Sequence, residues 1–482
     1  MTSAGGKFII LLPNTKKTKK LLPEIQLEIE EYFLNEFSGK LACIISSGTE
    51  ATYKDLEKGN VISLINRIGD DGDIAKSKKM QKAIFKHGSV LNEQYELLQK
   101  NGECPKCGVF ATSSADGDDD ERQCKTCKSL IEIGRRLVKS AKITLYSDIL
   151  KPFREMIHFC KDDKNPQFYY SINDYKPGFP LMYLPYVAPE NEKGDLLTFE
   201  EIAGNSKGNK KLAMFKSDVD NLGLIFSQSL GERMSFSRYA DLSHMLHFFF
   251  SSFYAWFVNN KKDQNGDLYK DKIYTVFSGG DDLCVLGSWD SIMQFALDFE
   301  KELDAFTNNN PSVTLSGGIV LSSSNVPVRN IAEAAEENLE KSKGRPEKNA
   351  ITVFGATVSW NKYEKLLEDG KFLQSQLELN KKNPKDGVST GVIYKFLDFA
   401  NRAEKTLGNG KCKIADVSEL VGNASGASPK DRIWKSNFVY ILARNVKDEK
   451  LKKWLLKFGE NPNTMINSRV AVSYALYTQR KN

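Results

Sequence analysis

The stretch Tyr274-Thr-Val-Phe-Ser-Gly-Gly-Asp-Asp-Leu-Cys-Val-Leu286 decides the fold of this chain. Two apolar, β-rich runs flank Ser278-Gly279-Gly280-Asp281-Asp282, which predicts a tight hairpin with two adjacent carboxylates at its tip. Glycines permit backbone conformations closed to other residues and leave room for a phosphate. Adjacent carboxylates repel each other unless they are solvated or bridged by a cation, and magnesium is the natural bridge to nucleotide phosphates. An exposed turn is the alternative interpretation, because Gly and Asp are favoured in turns.

A second group of carboxylates lies upstream, in Lys211-Leu-Ala-Met-Phe-Lys-Ser-Asp218-Val-Asp220-Asn-Leu-Gly223. The apolar run predicts a strand ending near Asp218, where a neighbouring hairpin tip can face it. One strand-end Asp with a hairpin Asp pair is the ligand set needed for two-metal phosphoryl transfer. One ion would activate the attacking hydroxyl, and the other would neutralise the leaving group. Asn221 and Gly223 suit the start of a helix, where backbone N–H groups bind phosphates.

The elements around these motifs follow a β-α-β-β-α-β order, which is typical of a palm-like, ferredoxin-like domain. The predicted strands lie near 211–217, 273–277, 283–286, 312–321 and 350–354, and the predicted helices near 237–259, 289–304 and 328–342. Helical periodicity then continues through 363–379, 388–407, 434–446, 450–458 and 468–479. The sequence therefore predicts an α+β protein with a palm at 206–358 and a helical domain at 359–482.

Length, charge and cysteine usage narrow the class of protein. A chain of 482 residues predicts three or four domains. The net charge is only +6, but residues 361–482 hold 23 Lys and Arg against 13 Asp and Glu. This basic segment suits contact with RNA or an acidic partner, with a solvated helical surface as the alternative. The absence of a secretory signal and of a membrane-spanning stretch predicts a cytoplasmic protein with no membrane partner.

Four of the eight cysteines form two pairs, Cys104-Pro-Lys-Cys107 and Cys124-Lys-Thr-Cys127. Sixteen residues separate the inner two cysteines, a spacing typical of two knuckles that supply four thiolates to tetrahedral zinc. Four cysteine ligands close the coordination sphere, so the predicted zinc is structural. A redox dithiol is the weaker alternative. We place this site in a linker domain at 101–205.

The beginning of the chain repeats part of the palm pattern. Gly5 and Gly6 are followed by an apolar run, as Gly279 and Gly280 are. A helix near 23–37 and a strand at 41–45 are predicted next. The 36 positions from Gly5 to Leu41 match the 34 from Gly279 to Val313, which suggests an internal duplication. Residues 1–100 are therefore predicted to form a first palm, incomplete at its N-terminal side. Lys7 and Phe8 stand where the second palm has Asp281 and Asp282, so this copy cannot chelate metal in the same way.

Ser278-Gly-Gly-Asp-Asp282 with Asp218-Val-Asp-Asn-Leu-Gly223 resembles the second palm domain of the large subunit of type III CRISPR–Cas effector complexes. The type III-A version is the most similar, and the diguanylate cyclases are more distant. The resemblance implies synthesis of cyclic oligoadenylates from ATP. It also implies a catalytic trio, Asp218, Asp281 and Asp282, that holds two Mg²⁺ or Mn²⁺ ions, with the backbone carbonyl of Val219 as a further ligand.

The resemblance also implies which residues contact nucleotide. In the second palm these are Asn221, Gly223, Ser278, Gly279, Gly280, Lys343 and Lys348. Lys343 and Lys348 follow a predicted helix, where complementing the helix dipole is an equally good explanation. In the first palm the candidates are Ser46, Ser47 and Gly48, for which an ordinary polar strand end is the alternative.

The implied partners are the small helical subunits, the subunit that binds the guide 5′ end, guide RNA and target RNA. Members of the family often carry a histidine–aspartate nuclease domain and further first-palm elements before the first Gly-Gly hairpin. None of the four histidines here is followed by Asp, so we expect a truncated chain or one half of a split subunit. A GGDEF-type dinucleotide cyclase and a catalytically inert scaffold are the alternative functions.

Overall fold

The computed structural model describes residues 2–4, 7–88, 92–114, 122–137, 142–145, 157–160, 170–172, 182–228, 231–263, 265–407 and 429–480. The chain forms two compact units. The first comprises 1–186, 221–255 and 278–281, and the second comprises 187–220, 256–277 and 282–482. The predicted boundaries of the four domains remain predictions.

The strands, in chain order, are β1 (Thr2–Ala4), β2 (Lys7–Ile9), β3 (Lys142–Leu145), β4 (Ile157–Cys160), β5 (Tyr170–Ile172), β6 (Met182–Leu184), β7 (Leu212–Val219), β8 (Ile273–Gly279), β9 (Asp282–Ser288), β10 (Leu315–Ser322), β11 (Ala350–Val353) and β12 (Ala356–Ser359). The helices are α1 (Lys16–Phe37), α2 (Val61–Ser77), α3 (Gln81–His87), α4 (Asn92–Asn101), α5 (Lys125–Leu137), α6 (Phe199–Gly204), α7 (Leu222–Gln228), α8 (Phe236–Phe248), α9 (Tyr254–Asn260), α10 (Trp289–Phe306), α11 (Val328–Lys343), α12 (Trp360–Lys382), α13 (Thr390–Thr406), α14 (Pro429–Arg432), α15 (Trp434–Asn445), α16 (Glu449–Leu456) and α17 (Pro462–Gln479). A π-helical turn, Phe249–Phe253, joins α8 to α9.

The six-stranded sheet has the order β12-β11-β10-β7-β9-β8. Its central strand β7 is antiparallel to both β9 and β10, whereas β10 and β11 are parallel. The strands β10-β7-β9-β8 have the arrangement of a ferredoxin-like sheet, which confirms the predicted β-α-β-β-α-β order. Strand β12, which the sequence interpretation missed, extends the sheet by an antiparallel pairing with β11.

The two faces of this sheet are buried by different helices. On one face, Met214 and Leu286 pack in a core with Ala335 of α11. On the other face, the ring of Phe215 lies 6.4 Å from that of Phe295 in α10. Alternating residues of β7 therefore point to opposite helices, as the two-residue period of a strand requires.

The C-terminal helices α12, α13, α15, α16 and α17 confirm the helical prediction for this part of the chain. Two of them, α12 and α17, contact α10: the Tyr363 hydroxyl of α12 donates to the Met293 carbonyl at 3.0 Å, and the rings of Trp289 and of Tyr474 in α17 lie 5.5 Å apart. No helix among the described residues is long and apolar enough to cross a lipid bilayer.

In the first unit, β1 and β2 pair antiparallel, as the predicted hairpin requires. Gly5 and Gly6 themselves lie outside the described residues. Helix α1 agrees with the helix predicted near 23–37, and three further helices, α2, α3 and α4, follow it. Strands β3 to β6 form a separate sheet with the order β4-β3-β5-β6.

The strand predicted at 41–45 is wrong, because these residues form no strand. The side chain of Gln26 in α1 accepts a hydrogen bond from the Ile45 amide at 2.6 Å, a role that a neighbouring strand would otherwise have. The described part of the first unit thus repeats the hairpin and the helix of a palm, but not the strand that supplied the matching spacing.

Candidate active site

The tip of the β8–β9 hairpin is a two-residue turn, Gly280–Asp281. Gly280 has φ +69°, and Asp281 is not among the residues with positive φ. A positive φ at the first turn residue alone is the pattern of a type II′ turn, which favours glycine there and matches the twist of a hairpin. The turn leaves Asp281 at the tip and makes Asp282 the first residue of β9.

Strand register brings the third carboxylate to the same place. Asp218 of β7 is paired directly with Asp282 of β9. One carboxylate oxygen from each of Asp218, Asp281 and Asp282 lies within 4.8 Å of the others. Like charges directly opposite each other destabilise a sheet, so this arrangement calls for a cation. Oxygen donors at this spacing suit a hard divalent ion such as magnesium.

Lys343, the last residue of α11, supplies the nearby protein cation. Its Nζ lies 2.5 Å from Asp218 Oδ2, and its side chain remains 26% exposed. Burial opposes the charged form of Lys343, but the hydrogen bond and charge of Asp218, with Glu340 and Asp282, raise the pKa of the ammonium. Lys343 is therefore protonated beside the acidic trio, and its contact with a nucleotide triphosphate remains a prediction.

The α11 face of β7 changes from apolar to charged along the strand. Met214 belongs to the core, Lys216 pairs with Glu336 of α11, and Asp218 pairs with Lys343. The same face that holds the helix on the sheet thus ends in the acidic cluster.

Two consecutive glycines of β10 allow close packing on the two faces of the sheet, and Gly318 is the one that faces α11. A Cβ at Gly318 would meet the backbone N of Leu339 at 2.4 Å and the carbonyl O of Ala335 at 2.6 Å. A Cβ at Gly317 would meet Phe215 at 2.7 Å on the opposite face. This close approach sets the height of Lys343 above Asp218. Consecutive glycines inside a predicted strand signal such an approach, and the sequence interpretation did not use them.

Asp220, two residues after Asp218, is a buried anchor that the sequence interpretation also missed. Asp220 is only 1% exposed. Its carboxylate accepts hydrogen bonds from Thr314 Oγ1 at 2.9 Å, from Ser316 Oγ at 2.7 Å and from the backbone N–H of Asn349 at 3.0 Å. A carboxylate with several donors is well compensated for its burial.

The residues predicted to contact nucleotide occupy varied surroundings. Asn221 has φ +55°, and α7 begins directly after it, as expected for a break between strand and helix. An added Cβ at Gly223 would meet nothing within 4 Å. The Ser278 hydroxyl donates to the Phe250 carbonyl, which ties the hairpin to the π-helical turn. Lys348, with φ +46°, lies in the loop after α11. Their roles toward nucleotide, like those of Gly279 and the Val219 carbonyl, remain predictions.

Ser46, Ser47 and Gly48 lie in an irregular segment of the first unit rather than at a strand end. The Gly48 amide donates to Asp71 Oδ2 at 2.8 Å, and a Cβ at Gly48 would lie 2.5 Å from Asp71 Oδ1. A side chain at position 48 would therefore displace the Asp71 carboxylate of α2. The predicted contact of the three residues with nucleotide stays a prediction.

The four paired cysteines converge in the first unit, as predicted. Their sulfurs all lie within 4.8 Å of one another, and Cys104 Sγ is 3.9 Å from Cys127 Sγ. Burial raises the pKa of Cys124 to about 11. At Cys104, backbone N–H groups that include that of Cys124 outweigh burial and lower the pKa to about 6. Four sulfurs with N–H donors to the thiolates match a metal-binding knuckle pair, so the residues present fit zinc.

Two family models match parts of the chain. The Cas10/Cmr2 second palm domain matches residues 211–352, and the Csm1 subunit domain B matches residues 1–92. The first match covers β7 to β11 and so contains the whole acidic cluster.

Curated relatives share the same family name, "CRISPR system single-strand-specific deoxyribonuclease Cas10/Csm1 (subtype III-A)". The Methanocaldococcus jannaschii protein is 34% identical over 37% of this chain and 24% of its own length. The Thermococcus onnurineus protein is 26% identical over 76% of this chain and 50% of its own. The Enterococcus italicus protein is 23% identical over 99% of this chain and 59% of its own. The chain thus spans at most about three fifths of these relatives.

Solved structures of Csm1–Csm4 cassettes have a similar fold. The cassette in complex with AMPPNP matches with a TM-score of 0.67 and 18% identity, over 99% of this chain and 62% of the other. The cassette in complex with cA4 matches with a TM-score of 0.66 and 19% identity, over the same shares. At this identity the likeness establishes the fold.

Proposed function

Because the chain belongs to the Cas10/Csm1 family of subtype III-A CRISPR systems, we propose that its palm joins ATP molecules into cyclic oligoadenylates within an RNA-guided effector complex. The observation that carries this proposal is the register of β7 and β9, which sets Asp218 opposite Asp282 beside Asp281. Solved relatives with AMPPNP, ATP and cyclic oligoadenylates bound give further support.

In the proposed reaction, the 3′-hydroxyl of one ATP attacks the α-phosphate of another, and pyrophosphate leaves. Asp218, Asp281 and Asp282 would hold two magnesium ions, which lower the pKa of the attacking hydroxyl and neutralise the leaving group. The chain's own contribution is to position the reactants and to supply fixed charge. Gly280 keeps the tip free of side-chain bulk where phosphates must approach the carboxylates.

Lys343 is proposed to bind the triphosphate. In the structure its ammonium faces Asp218, and its partial exposure allows it to exchange that carboxylate for a phosphate oxygen. Its raised pKa ensures that it carries the positive charge throughout the neutral range. The same lysine would therefore balance the acidic trio before nucleotide binds and balance the phosphates afterwards.

The proposed partners are other subunits of the effector complex, with guide and target RNA. The Csm4 subunit in the solved cassettes supports a protein partner. The basic segment 361–482 is proposed to contact small subunits or RNA, and the cysteine knuckles are proposed to hold a structural zinc ion. The deoxyribonuclease activity in the name of the relatives belongs to proteins that are longer than this chain.

The test is separation of the products made from α-labelled ATP or GTP by the assembled complex, with and without target RNA. Cyclic oligoadenylate that depends on target RNA is the expected result. A cyclic dinucleotide made from GTP would support the GGDEF-type alternative. No product from either nucleotide would support the inert scaffold. Asp218→Ala, which removes one carboxylate of the acidic trio, tests the site directly. Its matched control is Glu333→Ala, which removes an exposed carboxylate from α11.

A further inference from the structure

We propose that Asp220 is a positioning residue that holds the loop after α11 against the end of β7 and thereby sets Lys343 and Lys348 over the nucleotide site. This inference rests on the proposed nucleotide chemistry and adds a residue to it. Asp218 and Asp220 stand two positions apart at the same strand end, yet their surroundings differ. Asp218 is partly exposed and faces Asp282, whereas Asp220 is enclosed.

The contacts of Asp220 join three segments of the chain. Its Oδ1 accepts from Ser316 Oγ at the start of β10, and its Oδ2 accepts from both Thr314 Oγ1 and the Asn349 amide. Its own amide donates to the Thr314 carbonyl at 2.8 Å. All three side-chain contacts therefore use Asp220 as an acceptor.

The contact with Asn349 stabilises an unusual backbone. Lys348 and Asn349 have φ values of +46° and +42°, a conformation that residues with a Cβ adopt at a cost in energy. Two such residues in succession persist only when their surroundings hold them. The Asp220 carboxylate accepts a hydrogen bond from the backbone N–H of Asn349, and this contact stabilises the turn against the end of β7.

The loop that Asp220 contacts lies between α11 and β11, next to the candidate phosphate-binding lysines. It connects Lys343, the last residue of α11, to β11, and it includes Lys348. Lys343 already contacts Asp218 of β7, the strand that Asp220 directly follows. Asp220 thus links the strand that carries a metal-binding carboxylate to the loop that carries the candidate phosphate-binding lysines. We do not propose Asp220 as a metal ligand, because its oxygens already accept three hydrogen bonds from the protein.

The experiment compares Asp220→Ala, Asp220→Asn and the double variant Asp220→Ala/Asn349→Gly in the assembled complex. Asp220→Ala should raise the KM for ATP about tenfold or more, because a buried hydrogen bond to a charged acceptor is lost. Asp220→Asn should keep most of the affinity, since an amide oxygen can still accept from Asn349 while the Ser316 hydroxyl reverses its role. Asn349→Gly should restore part of the affinity in the Asp220→Ala background, because glycine adopts positive φ freely.

Two further readouts are independent of product formation. Hydrogen exchange of the 344–349 backbone, without nucleotide, should quicken at least about tenfold in Asp220→Ala and slow again in the double variant. Equilibrium binding of magnesium and AMPPNP should follow the same order. Ser316→Ala removes one of the three hydrogen-bond donors to Asp220. It should change the exchange rate and the binding affinity in the same direction as Asp220→Ala but by a smaller factor, and it replaces Asp220→Ala in the test if that variant fails to fold.

Unchanged exchange and unchanged nucleotide affinity in Asp220→Ala would overturn the proposal. So would a loss of turnover at unchanged KM that Asn349→Gly does not relieve, since that result would make Asp220 a metal ligand. If the wild-type complex binds the nucleotide but forms no cyclic product, the proposed function fails while the exchange and binding readouts still decide the role of Asp220.

Discussion

Replacing Gly318 by alanine should separate α11 from the sheet. The added Cβ would lie 2.4 Å from the Leu339 backbone N, whereas ordinary contacts begin near 3.4 Å. The helix must therefore move by about 1 Å, because neither β10 in mid-sheet nor a helix backbone can yield locally. Overpacking of this kind typically lowers the free energy of unfolding by about 1–3 kcal/mol.

The same displacement should carry Lys343 away from Asp218. A shift of about 1 Å at a positioned charge can cost on the order of a hundredfold in rate. Urea denaturation would measure the stability, and product formation from ATP would measure the rate. Gly391→Ala in α13 is the control for added bulk, since an added Cβ there meets nothing within 4 Å. Wild-type stability and wild-type rate in Gly318→Ala would refute the close packing of α11 on β10.

Three other predictions test separate parts of the structure. Lys343→Ala should lower the kcat/KM for ATP about tenfold or more, because the charge next to Asp218 is lost. Lys341→Ala, which removes an exposed lysine from the same helix, should leave kcat/KM unchanged, and equal effects of the two variants in a steady-state assay would contradict a specific role for Lys343. Cys104→Ser should lower the melting temperature and the zinc content, and metal analysis that finds no zinc in the wild-type protein would contradict the knuckle assignment. Burial, with the nearby Asp304, raises the pKa of Glu300 to about 8, so the folded state favours the neutral carboxyl. The free energy of unfolding should therefore fall as the pH rises from about 4.5 to 8, by at most about 1.4 kcal/mol per pH unit. Glu300→Gln should flatten this pH dependence in denaturation curves, and an unchanged slope would contradict the buried neutral carboxyl.

Local signals in the sequence were sufficient for the second palm. The apolar runs around Ser278–Asp282 and before Asp218 predicted β7, β8 and β9, and the strand-end position of Asp218 predicted its meeting with the hairpin tip. The spacing of the cysteine pairs likewise predicted their convergence. These predictions succeeded because turn chemistry and short-range periodicity fix the elements and their ends.

What the sequence did not reveal depends on contacts between distant segments. The apolar run 41–45 has the composition of a strand, but Gln26 takes the backbone group that a partner strand would need. The burial of Asp220 depends on Thr314, Ser316 and Asn349, which are about 94 or more positions away. Gly317 and Gly318 gave a usable signal, since glycines inside a strand mark close backbone approach.

The central claim is that the carboxylates at the β8–β9 tip and the end of β7 carry out nucleotidyl transfer. Asp281→Ala with Asp282→Ala removes two anionic oxygen donors from the metal site but little packing, because Asp282 is exposed. The double variant should assemble with its partners and bind RNA normally. Its rate of ATP conversion should fall on the order of a hundredfold or more, because the charge that stabilises the leaving group is lost.

The most direct measurement is therefore the yield of cyclic oligoadenylate from labelled ATP by RNA-activated complexes that contain the wild-type chain or this double variant. The account predicts abundant product from the wild type and almost none from the variant, with equal assembly of both complexes. Product formation by the double variant at a near wild-type rate would contradict the assignment of the chemistry to this site.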